Sequence, residues 1–467
     1  MKTDCNVKEL QFQGLGKRAV IGRFDGGTLT SDAGGLLLRE LDERLRITER
    51  FSGCFTDYRN PKSIEHEVSG LIRQRVYGIA LGYEDLNDHD ELRSDPLLAV
   101  LCGKGDPRGD HRRCDRDKGK ALAGKSTLNR LELTDAEADK DSRYKKIKCH
   151  GEKIDEVFVE VFLDSYREEP DRIIIDLDAT DDPVHGDQEG RFFHGYYKGY
   201  CYLPLYIFCG DHLLCARLRP SNIDASEGTV EELRRIVSQI RGRWPKVEIV
   251  IRADSGFCRE EIMQWCEENE VGYVLGLAKN SRLEKMIHED MVDAEIMYRT
   301  RGRASRIYSE FLYQTRTSWC RPRRVIGKAE YLAKGPNPRF VVTSLSGDEV
   351  DARQLYEVLY CGRGDMENRI KEQQLYMFAD RTSTSKMRSN QIRLYFSSIA
   401  YVLLNALRRL GLKGTQLAKA QCNTLRIKLL KIGAQIRVTV RKVWVSLAEG
   451  YPYKDVFITV WRNIATV

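Results

Sequence analysis

One stretch limits what this chain can fold into more than any other: three consecutive isoleucines followed by alternating carboxylates. It runs from Arg172 to Thr180, and a single leucine separates Asp176 from Asp178. Isoleucine is β-branched and favours a pleated strand. Side chains of a strand alternate between its faces, so both aspartates point the same way. They repel each other unless a positive group, such as a hard divalent cation, lies between them. The alternative is a strand end with two solvated acids.

Positive charge is concentrated near the carboxyl end of the sequence. The formal net charge is only +7, yet the stretch from Arg381 to Ala448 holds fourteen lysines and arginines and not one aspartate or glutamate. Such segregation is typical of a surface that binds a polyanion, most often nucleic acid. The alternative is a basic surface that only water contacts.

Apolar runs and cysteines favour a cytoplasmic protein. The longest apolar run, from Leu394 to Leu407, is shorter than the about 20 residues that a membrane-spanning helix needs. The thirteen cysteines are scattered and form no CxxC pair, which indicates reduced thiols. We therefore expect a cytoplasmic location and no membrane contact.

The order of predicted elements defines the fold class. The first part of the chain is predicted to be mostly helical, and strands dominate from Arg172 onward before they alternate with helices. The resulting order, βββαβαβ, is that of an α/β, RNase H-like core. The predicted regions are a helical DNA-binding region at 1–165, a first core part at 166–282, a basic β-rich insertion at 283–339, a second core part at 340–410 and a basic region at 411–467.

Three acids acquire positions in this predicted core. Asp178, or its neighbour Asp176, ends the first strand. Asp254 follows a later strand, and Glu367 belongs to a late helix. In an RNase H-like sheet the two strands are neighbours and the helix crosses them, so the carboxylates converge. Three carboxylates can hold two Mg²⁺ ions about 3.5–4 Å apart, which activate one oxygen and stabilise another in phosphoryl transfer.

Three short blocks surround these acids: Asp-Leu-Asp-Ala-Thr at 176–180, Arg-Ala-Asp-Ser-Gly-Phe at 252–257, and Tyr360-x2-Arg363-x3-Glu367. They resemble the catalytic blocks of the DDE transposases of bacterial insertion sequences, with group 1380 as the closest match. Stretches at 29–38, 83–88 and 181–188 resemble the same group, so the similarity spans nearly the whole chain. The family signature Tyr-x2-Arg-x3-Glu-x6-Lys ends in lysine, whereas Gln374 stands at that position here.

The resemblance implies a DNA transposase that cuts at the inverted-repeat ends of an insertion sequence and joins the 3′-OH ends to target DNA. It implies Asp178, Asp254 and Glu367 as catalytic residues and ligands of Mg²⁺, for which Mn²⁺ can substitute. It favours Asp178 over Asp176 as the first ligand, and Asp176 stays a further candidate.

The same resemblance implies where DNA is bound. The expected contacts are Tyr360, Arg363 and Lys371 in the signature helix, with Lys371 replacing the missing lysine. Arg321, Arg323 and Arg324 of the basic insertion are further candidates. The expected partners are double-stranded DNA and a second copy of the chain, at the bacterial nucleoid when the protein is active.

Other functions stay open at this point. The chain could be a catalytically inactive, DDE-derived DNA-binding protein or a related RNase H-fold nuclease. A third alternative is a P-loop ATPase, because Gly119 to Ser126 fits the spacing G-x4-G-K-S. A P-loop needs a buried strand directly before it, and the charged residues there do not form one.

Overall fold

The structure is a computed structural model that describes residues 9–466. The first eight residues of the predicted N-terminal region and Val467 lie outside the described residues. The strands are β1 Leu10–Leu15, β2 Arg18–Gly22, β3 Leu29–Thr30, β4 Phe55–Asp57, β5 Ile147–Cys149, β6 Arg172–Ala179, β7 Asp182–Pro183, β8 Phe192–His194, β9 Gly199–Tyr202, β10 Leu205–Cys209, β11 His212–Arg217, β12 Glu248–Ala253, β13 Gly272–Leu277, β14 Ser305–Tyr313, β15 Arg323–Leu332, β16 Gly335–Pro336, β17 Arg339–Thr343, β18 Ala434–Val438 and β19 Val443–Leu447.

The helices follow the same numbering along the chain. They are α1 Gly35–Leu45, α2 Ile47–Gly53, α3 Val68–Leu81, α4 His89–Leu92, α5 Pro96–Leu101, α6 Lys125–Glu132, α7 Gly151–Leu163, α8 Thr229–Arg243, α9 Glu260–Glu268, α10 Ser281–Met286, α11 His288–Arg301, α12 Ala352–Gln354, α13 Gly364–Lys371, α14 Met387–Ala406, α15 Cys422–Leu425 and α16 Lys454–Ala465. No helix in the described part of the chain is both long and apolar enough to cross a membrane.

Two compact units divide the described chain. Unit 1 joins the residues up to Thr48 with Arg59–Leu131 and with the residues from Ala406 onward. Unit 2 consists of Glu49–Tyr58 and Glu132–Asn405. Unit 1 is thus assembled from both ends of the sequence, and its boundaries differ from the regions predicted at 1–165 and 411–467.

A large mixed sheet forms the centre of unit 2. Its strand order is β11-β10-β6-β12-β13-β17-β15-β14, and β16 pairs with β15 at one end. The isoleucine strand β6 lies in the middle, antiparallel to β10 and parallel to β12. Strand β13 continues in parallel beyond β12. The α/β class predicted from the sequence is confirmed by this sheet.

The two faces of the sheet have different coverings. Ile173, Ile175 and Leu177 of β6 belong to an extensive apolar core that also contains the buried faces of α7, α8 and α9. The opposite face of the sheet carries a smaller apolar cluster that includes Val250 of β12 and Leu355. Because strand side chains alternate, Asp176 and Asp178 lie on the face opposite the isoleucine core.

A long helical segment packs on this acidic face. It runs from Ala352 to Tyr376 as α12, a π-helical turn, a 3-10 turn, α13 and a second π-helical turn. Right-handed helical dihedrals persist at Gly364, where φ is −57° and ψ is −21°. The carboxylate of Asp351 caps the start of the segment by accepting the backbone N–H groups of Arg353 and Gln354. The signature residues therefore share one helical path despite Gly362 and Gly364.

Two regions depart from the predicted pattern. The mostly helical N-terminal region begins with a hairpin, β1–β2, which the helical periodicity of the following residues does not reveal. The region predicted as a β-rich insertion starts with the helices α10 and α11, and its strands β14 and β15 extend the large sheet through β17.

The stretch from Gly119 to Ser126, in unit 1, differs from a P-loop in its surroundings. A 3-10 turn, Asp115–Asp117, precedes Gly119 in the described chain, where a P-loop would need a strand. The stretch ends in α6, whose first backbone N–H, at Lys125, is bound by the Asp90 carboxylate at 3.0 Å. The Lys125 ammonium lies 3.4 Å from the same carboxylate. An aspartate therefore occupies the position at which a P-loop binds phosphate.

Candidate active site

Adjacent parallel strands bring the first two acids together. Asp178 is the penultimate residue of β6, and Asp254 directly follows β12. The register pairs Leu177 with Ala253. Asp178 and Asp254 are the next residues of the two strands and therefore lie at the same end of the sheet. The Asp254 carboxylate also accepts the backbone N–H of Gly256 at 2.8 Å, which fixes its orientation at the start of a 3-10 turn.

An arginine connects the third acid to this pair. Arg363 and Glu367 are one helical turn apart, and the Arg363 Nη2 atom lies 3.1 Å from Oε1 of Glu367. The Nη1 atom of the same guanidinium lies 3.5 Å from Oδ2 of Asp178. This Nη1 is buried and has no hydrogen-bond partner among the described residues. Arg363 thus bridges a carboxylate of the sheet and a carboxylate of the helix.

The electrostatics of Asp178 reflect this arrangement. Burial raises the pKa of its carboxyl to about 6, the Arg363 guanidinium opposes that rise, and the negative charges of Asp254 and Glu367 add to it. Asp254 and Glu367 are therefore close enough to Asp178 for their charges to act on its carboxyl. The site is therefore a like-charge cluster that one arginine partly neutralises.

Asp176 has a different partner. Its carboxylate is buried and forms two bonds with Arg252, with Nε at 2.5 Å from Oδ1 and Nη2 at 2.8 Å from Oδ2. Arg252 stands directly opposite Asp176 in the register of β12 and β6. Its Nη1 also donates to the carbonyl of Leu359 in the helical segment. Both Asp176 oxygens are thus occupied by a pair that ties the helix to the sheet.

The donor set of the cluster fits a hard divalent cation. Asp178, Asp254 and Glu367 offer carboxylate oxygens, the ligands that such cations prefer, and a cation would relieve the repulsion at Asp178. In the described part of the chain no three acidic, histidine or cysteine side chains are already arranged as a metal cluster. Arg363 supplies the positive charge between two of the acids instead.

Comparison with known protein families identifies the chain. A family model described as "Transposase DDE domain group 1" matches residues 12–467. The chain belongs to this family. No curated protein matches the sequence. Among solved structures, a piggyBac transposase synaptic complex with hairpin DNA is similar, with 14% sequence identity, coverage of 86% of this chain and 80% of that one, and a TM-score of 0.42.

The helical segment places Tyr360 beside the turn that follows Asp254. A Cβ atom at Gly276 of β13 would lie 2.6 Å from the Tyr360 hydroxyl and 2.9 Å from the backbone nitrogen of Ser255. Glycine is needed there because the tyrosine, the strand and the turn after Asp254 meet without space for a side chain. Burial raises the pKa of Tyr360, and the nearby Asp254 charge adds to the effect.

The last residues of the signature segment are Lys371 and Gln374. Lys371 is exposed. Gln374, at the position where the resemblance implies a lysine, donates from Nε2 to the carbonyl of Asp181 at 2.9 Å. Gln374 thus makes a hydrogen bond within unit 2, and Lys371 remains the cation on this part of the helix that faces solvent.

The three arginines predicted as DNA contacts in the insertion are engaged with carboxylates. Arg323 is buried and bonds Glu260 and Glu267, each at 2.7 Å. Arg321 pairs with Glu267 as well. Arg324 bonds Glu310 and donates to two backbone carbonyls. These bonds stabilise unit 2. The buried guanidinium of Arg323 has little capacity for phosphate, whereas the Arg321 side chain is 53% exposed.

Sequence reasoning missed two residues that shape the site on its Asp176 side, Arg252 and Gly362. A Cβ atom at Gly362 would lie 2.6 Å from Nη1 of Arg252, so the glycine of the signature helix makes room for the arginine that holds Asp176. A signal was available in the sequence. Arg252 precedes Asp254 by two residues and therefore shares its face of β12, where a buried cation opposite an acidic strand is expected to pair with it.

Proposed function

We propose that this chain is a DNA transposase of a bacterial insertion sequence, of the group 1380 type, that cuts at the inverted-repeat ends and joins the 3′-OH ends to target DNA. One observation carries the proposal: Arg363 pairs with Asp178 of β6 and with Glu367 of the helix, and Asp254 follows the adjacent strand β12 at the same edge of the sheet. The family of the chain supports this assignment. The strand order β11-β10-β6-β12-β13 supports an RNase H-like core, because the first and fourth core strands are neighbours.

Asp178, Asp254 and Glu367 are the residues that would hold the metal ions, Mg²⁺ or in its place Mn²⁺. Two such ions supply activation of the attacking oxygen and stabilisation of the leaving oxygen in phosphoryl transfer. Asp178 and Asp254 are fixed by rigid strand ends, whereas Glu367 is half exposed on the helix. Glu367 can therefore adjust its position when a cation takes over the role of Arg363.

The other side chains of the site orient DNA. Arg363, once released from the carboxylates, has a planar guanidinium suited to two oxygens of a phosphate. Lys371 is exposed further along the helix, and Tyr360 lies on the Asp254 side of it. Asp176 and Arg252 hold the helix against the sheet, so we assign Asp176 a structural role and Asp178 the role of first ligand. Holding the strand in line with the attacking oxygen is itself a large part of the rate enhancement.

The proposed partners are double-stranded DNA with terminal inverted repeats, target DNA and a second copy of the chain. The proposed location is the bacterial cytoplasm, at the nucleoid during transposition. An inactive DDE-derived binding protein is the first alternative, and the retention of all three acids in the sequence argues against it. An RNase H-fold nuclease is the second, and it would cut DNA without joining it.

The test is a reaction of the full chain with a linear duplex that carries the flanking inverted repeats, together with supercoiled target DNA. The proposal expects cleaved ends and joined products with Mg²⁺ or Mn²⁺, without ATP, and none with EDTA. Binding without cleavage would identify an inactive binding protein. Cleavage without joining would identify a nuclease, and dependence on ATP would revive the P-loop alternative.

A further inference from the structure

A small cavity lies directly beside the acidic cluster. Its volume is about 110 Å³. Its walls are Ser255, the residue after Asp254, together with the end of β13, the start of β17, and Tyr356 and Tyr360 of the helical segment. The two tyrosine rings contact each other with centroids 5.5 Å apart. The cavity thus shares the Asp254 turn and the Tyr360 side chain with the site described above.

The cavity is lined by positive charge, whereas the neighbouring cluster of Asp178, Asp254 and Glu367 is negative. Of the described residues that line it, Lys279 and Arg339 are cationic and none is acidic. The Lys279 side chain is 64% exposed, and its ammonium lies 3.8 Å from Glu284, which is at most a loose pair. Arg339 is exposed at the start of β17. Its side chain contributes to the wall of the cavity.

We propose that this cavity binds one phosphate group of the DNA strand next to the phosphate that reacts at the acids. The inference rests on the proposed function and assigns Lys279 and Arg339 as positioning residues. The cavity has room for a phosphate group, and Lys279 and Arg339 supply the positive charge that attracts one. A phosphate held one position away from the acids fixes the strand in register with them. Because this phosphate lies in the cavity, Lys279 and Arg339 bind it there and stay out of the position proposed for the metal ions.

The phosphate has two possible sources with the same chemistry: an internal phosphodiester of the strand or a terminal 5′-phosphate at a cut end. The test measures binding of the full chain to a pre-cleaved duplex that carries the terminal repeat, with either a 5′-phosphate or a 5′-hydroxyl. Binding is measured by fluorescence anisotropy over a series of salt concentrations. The variants are Lys279→Gln and Arg339→Gln. The matched controls are Lys285→Gln and Arg353→Gln, which remove exposed cations outside the cavity.

Each cavity variant is expected to weaken binding about tenfold at moderate salt and to lower the slope of log K against log salt by about 0.9, the loss of one phosphate contact. The controls are expected to keep the wild-type slope. If the 5′-hydroxyl duplex binds the wild-type chain as weakly as the variants bind the phosphorylated one, the phosphate is terminal. If both duplexes bind the wild-type chain equally and the variants bind both more weakly, it is internal.

Wild-type affinity and slope in both cavity variants would overturn the assignment. Because both side chains are exposed, the variants should unfold at the wild-type temperature, which circular dichroism checks. If the wild-type chain itself failed to bind the terminal repeat, the proposed function and this inference would fall together. If it bound and cut with metal while the variants matched it in slope, only the cavity assignment would fail.

Discussion

At the scale of single residues, the site is a cluster of acids whose mutual repulsion lowers the stability of the fold. Asp178 is largely buried, and its pKa is raised by that burial and, to a smaller extent, by the charges of Asp254 and Glu367. Perturbed carboxyl groups in such clusters are typical of functional sites. Arg363 reduces the repulsion through a hydrogen bond to Glu367 and an ion pair with Asp178. The residue types of the cluster were predictable from sequence blocks, but its internal cation was not, because Arg363 was expected to contact DNA only.

The first prediction concerns the charge of Asp178. Its pKa of about 6 in the folded chain exceeds the unfolded value, so its ionisation destabilises the metal-free fold above pH about 6, and this cost disappears below pH about 4. Asp178→Asn should therefore raise the free energy of unfolding by about 1–3 kcal/mol at pH about 7.5 in EDTA.

Urea denaturation followed over pH measures this effect. The advantage of Asp178→Asn should shrink as the pH falls from about 6 to about 4. Asp115→Asn, which changes a carboxylate that is 92% exposed, is the control and should leave stability nearly unchanged. A variant less stable than the wild-type chain at neutral pH would contradict the like-charge cluster.

The second prediction concerns Arg363 as an internal cation that metal ions replace. Arg363→Gln should destabilise the metal-free chain by about 1 kcal/mol, because the acids lose their counter-charge. It should also tighten Mn²⁺ binding about fivefold to tenfold in the absence of DNA, since no competitor remains. Titration calorimetry measures the affinity, and thermal unfolding in EDTA measures the stability.

The control for Arg363→Gln is Arg353→Gln, which breaks a comparable bond to Glu357, four residues further along the same helical segment. This control should leave Mn²⁺ affinity unchanged. Weaker Mn²⁺ binding by Arg363→Gln would show that the arginine supports the cation and does not occupy its place.

At the scale of elements, the sequence predicts what local patterns determine. The strand β6 was predicted from its sequence pattern within a residue of its bounds, because its isoleucines face one extensive core. The pair of Asp176 and Arg252 depends on the register between two strands that are distant in sequence. No local pattern contains that register, so the sequence left open which aspartate is the ligand.

The third prediction tests this pair as the anchor of the helical segment. Asp176→Asn and Arg252→Gln should each cost about 3–5 kcal/mol, because each leaves a buried charge without its partner. The double variant should cost less than the sum by at least about 1 kcal/mol. Denaturation of all four proteins measures the coupling energy.

The same variants separate the two aspartates functionally. Asp176→Asn, at a temperature where it is folded, should keep the rise in unfolding temperature that Mn²⁺ causes, whereas Asp178→Asn should lose it. Loss of the Mn²⁺ effect in folded Asp176→Asn would make Asp176 a ligand and contradict the structural role assigned to it.

At the scale of the whole molecule, the basic stretch from Arg381 to Ala448 has a mixed role. The sequence predicted a polyanion-binding surface from its charge alone. Several of its cations have partners within their own unit: Arg393 bonds the buried Glu132, Lys386 pairs with Asp135, and Lys431 pairs with Asp32. Charge counting could not distinguish these from exposed cations, because the acidic partners come from distant parts of the chain. Composition therefore overestimates the surface available to DNA.

The fourth prediction distinguishes the two kinds of cation. Arg441 is exposed in the turn between β18 and β19, so Arg441→Gln should lower the slope of log K for duplex DNA against log salt by about 0.9 with no loss of stability. Arg393→Gln should keep the slope and lose about 3–5 kcal/mol of stability, because Glu132 is fully buried. A lower slope for Arg393→Gln together with an unchanged slope for Arg441→Gln would contradict this division into exposed and internally paired cations.

The central claim is that Asp178, Asp254 and Glu367 form one metal-dependent catalytic site. The most direct measurement is cleavage and joining of terminal-repeat DNA by the wild-type chain, Asp254→Asn and Glu367→Gln, each with DNA binding measured in parallel. We expect both variants to bind the DNA and to lose at least about a thousandfold in the rates of cleavage and joining with Mg²⁺. Variants that cleaved and joined DNA at the wild-type rate would contradict the account.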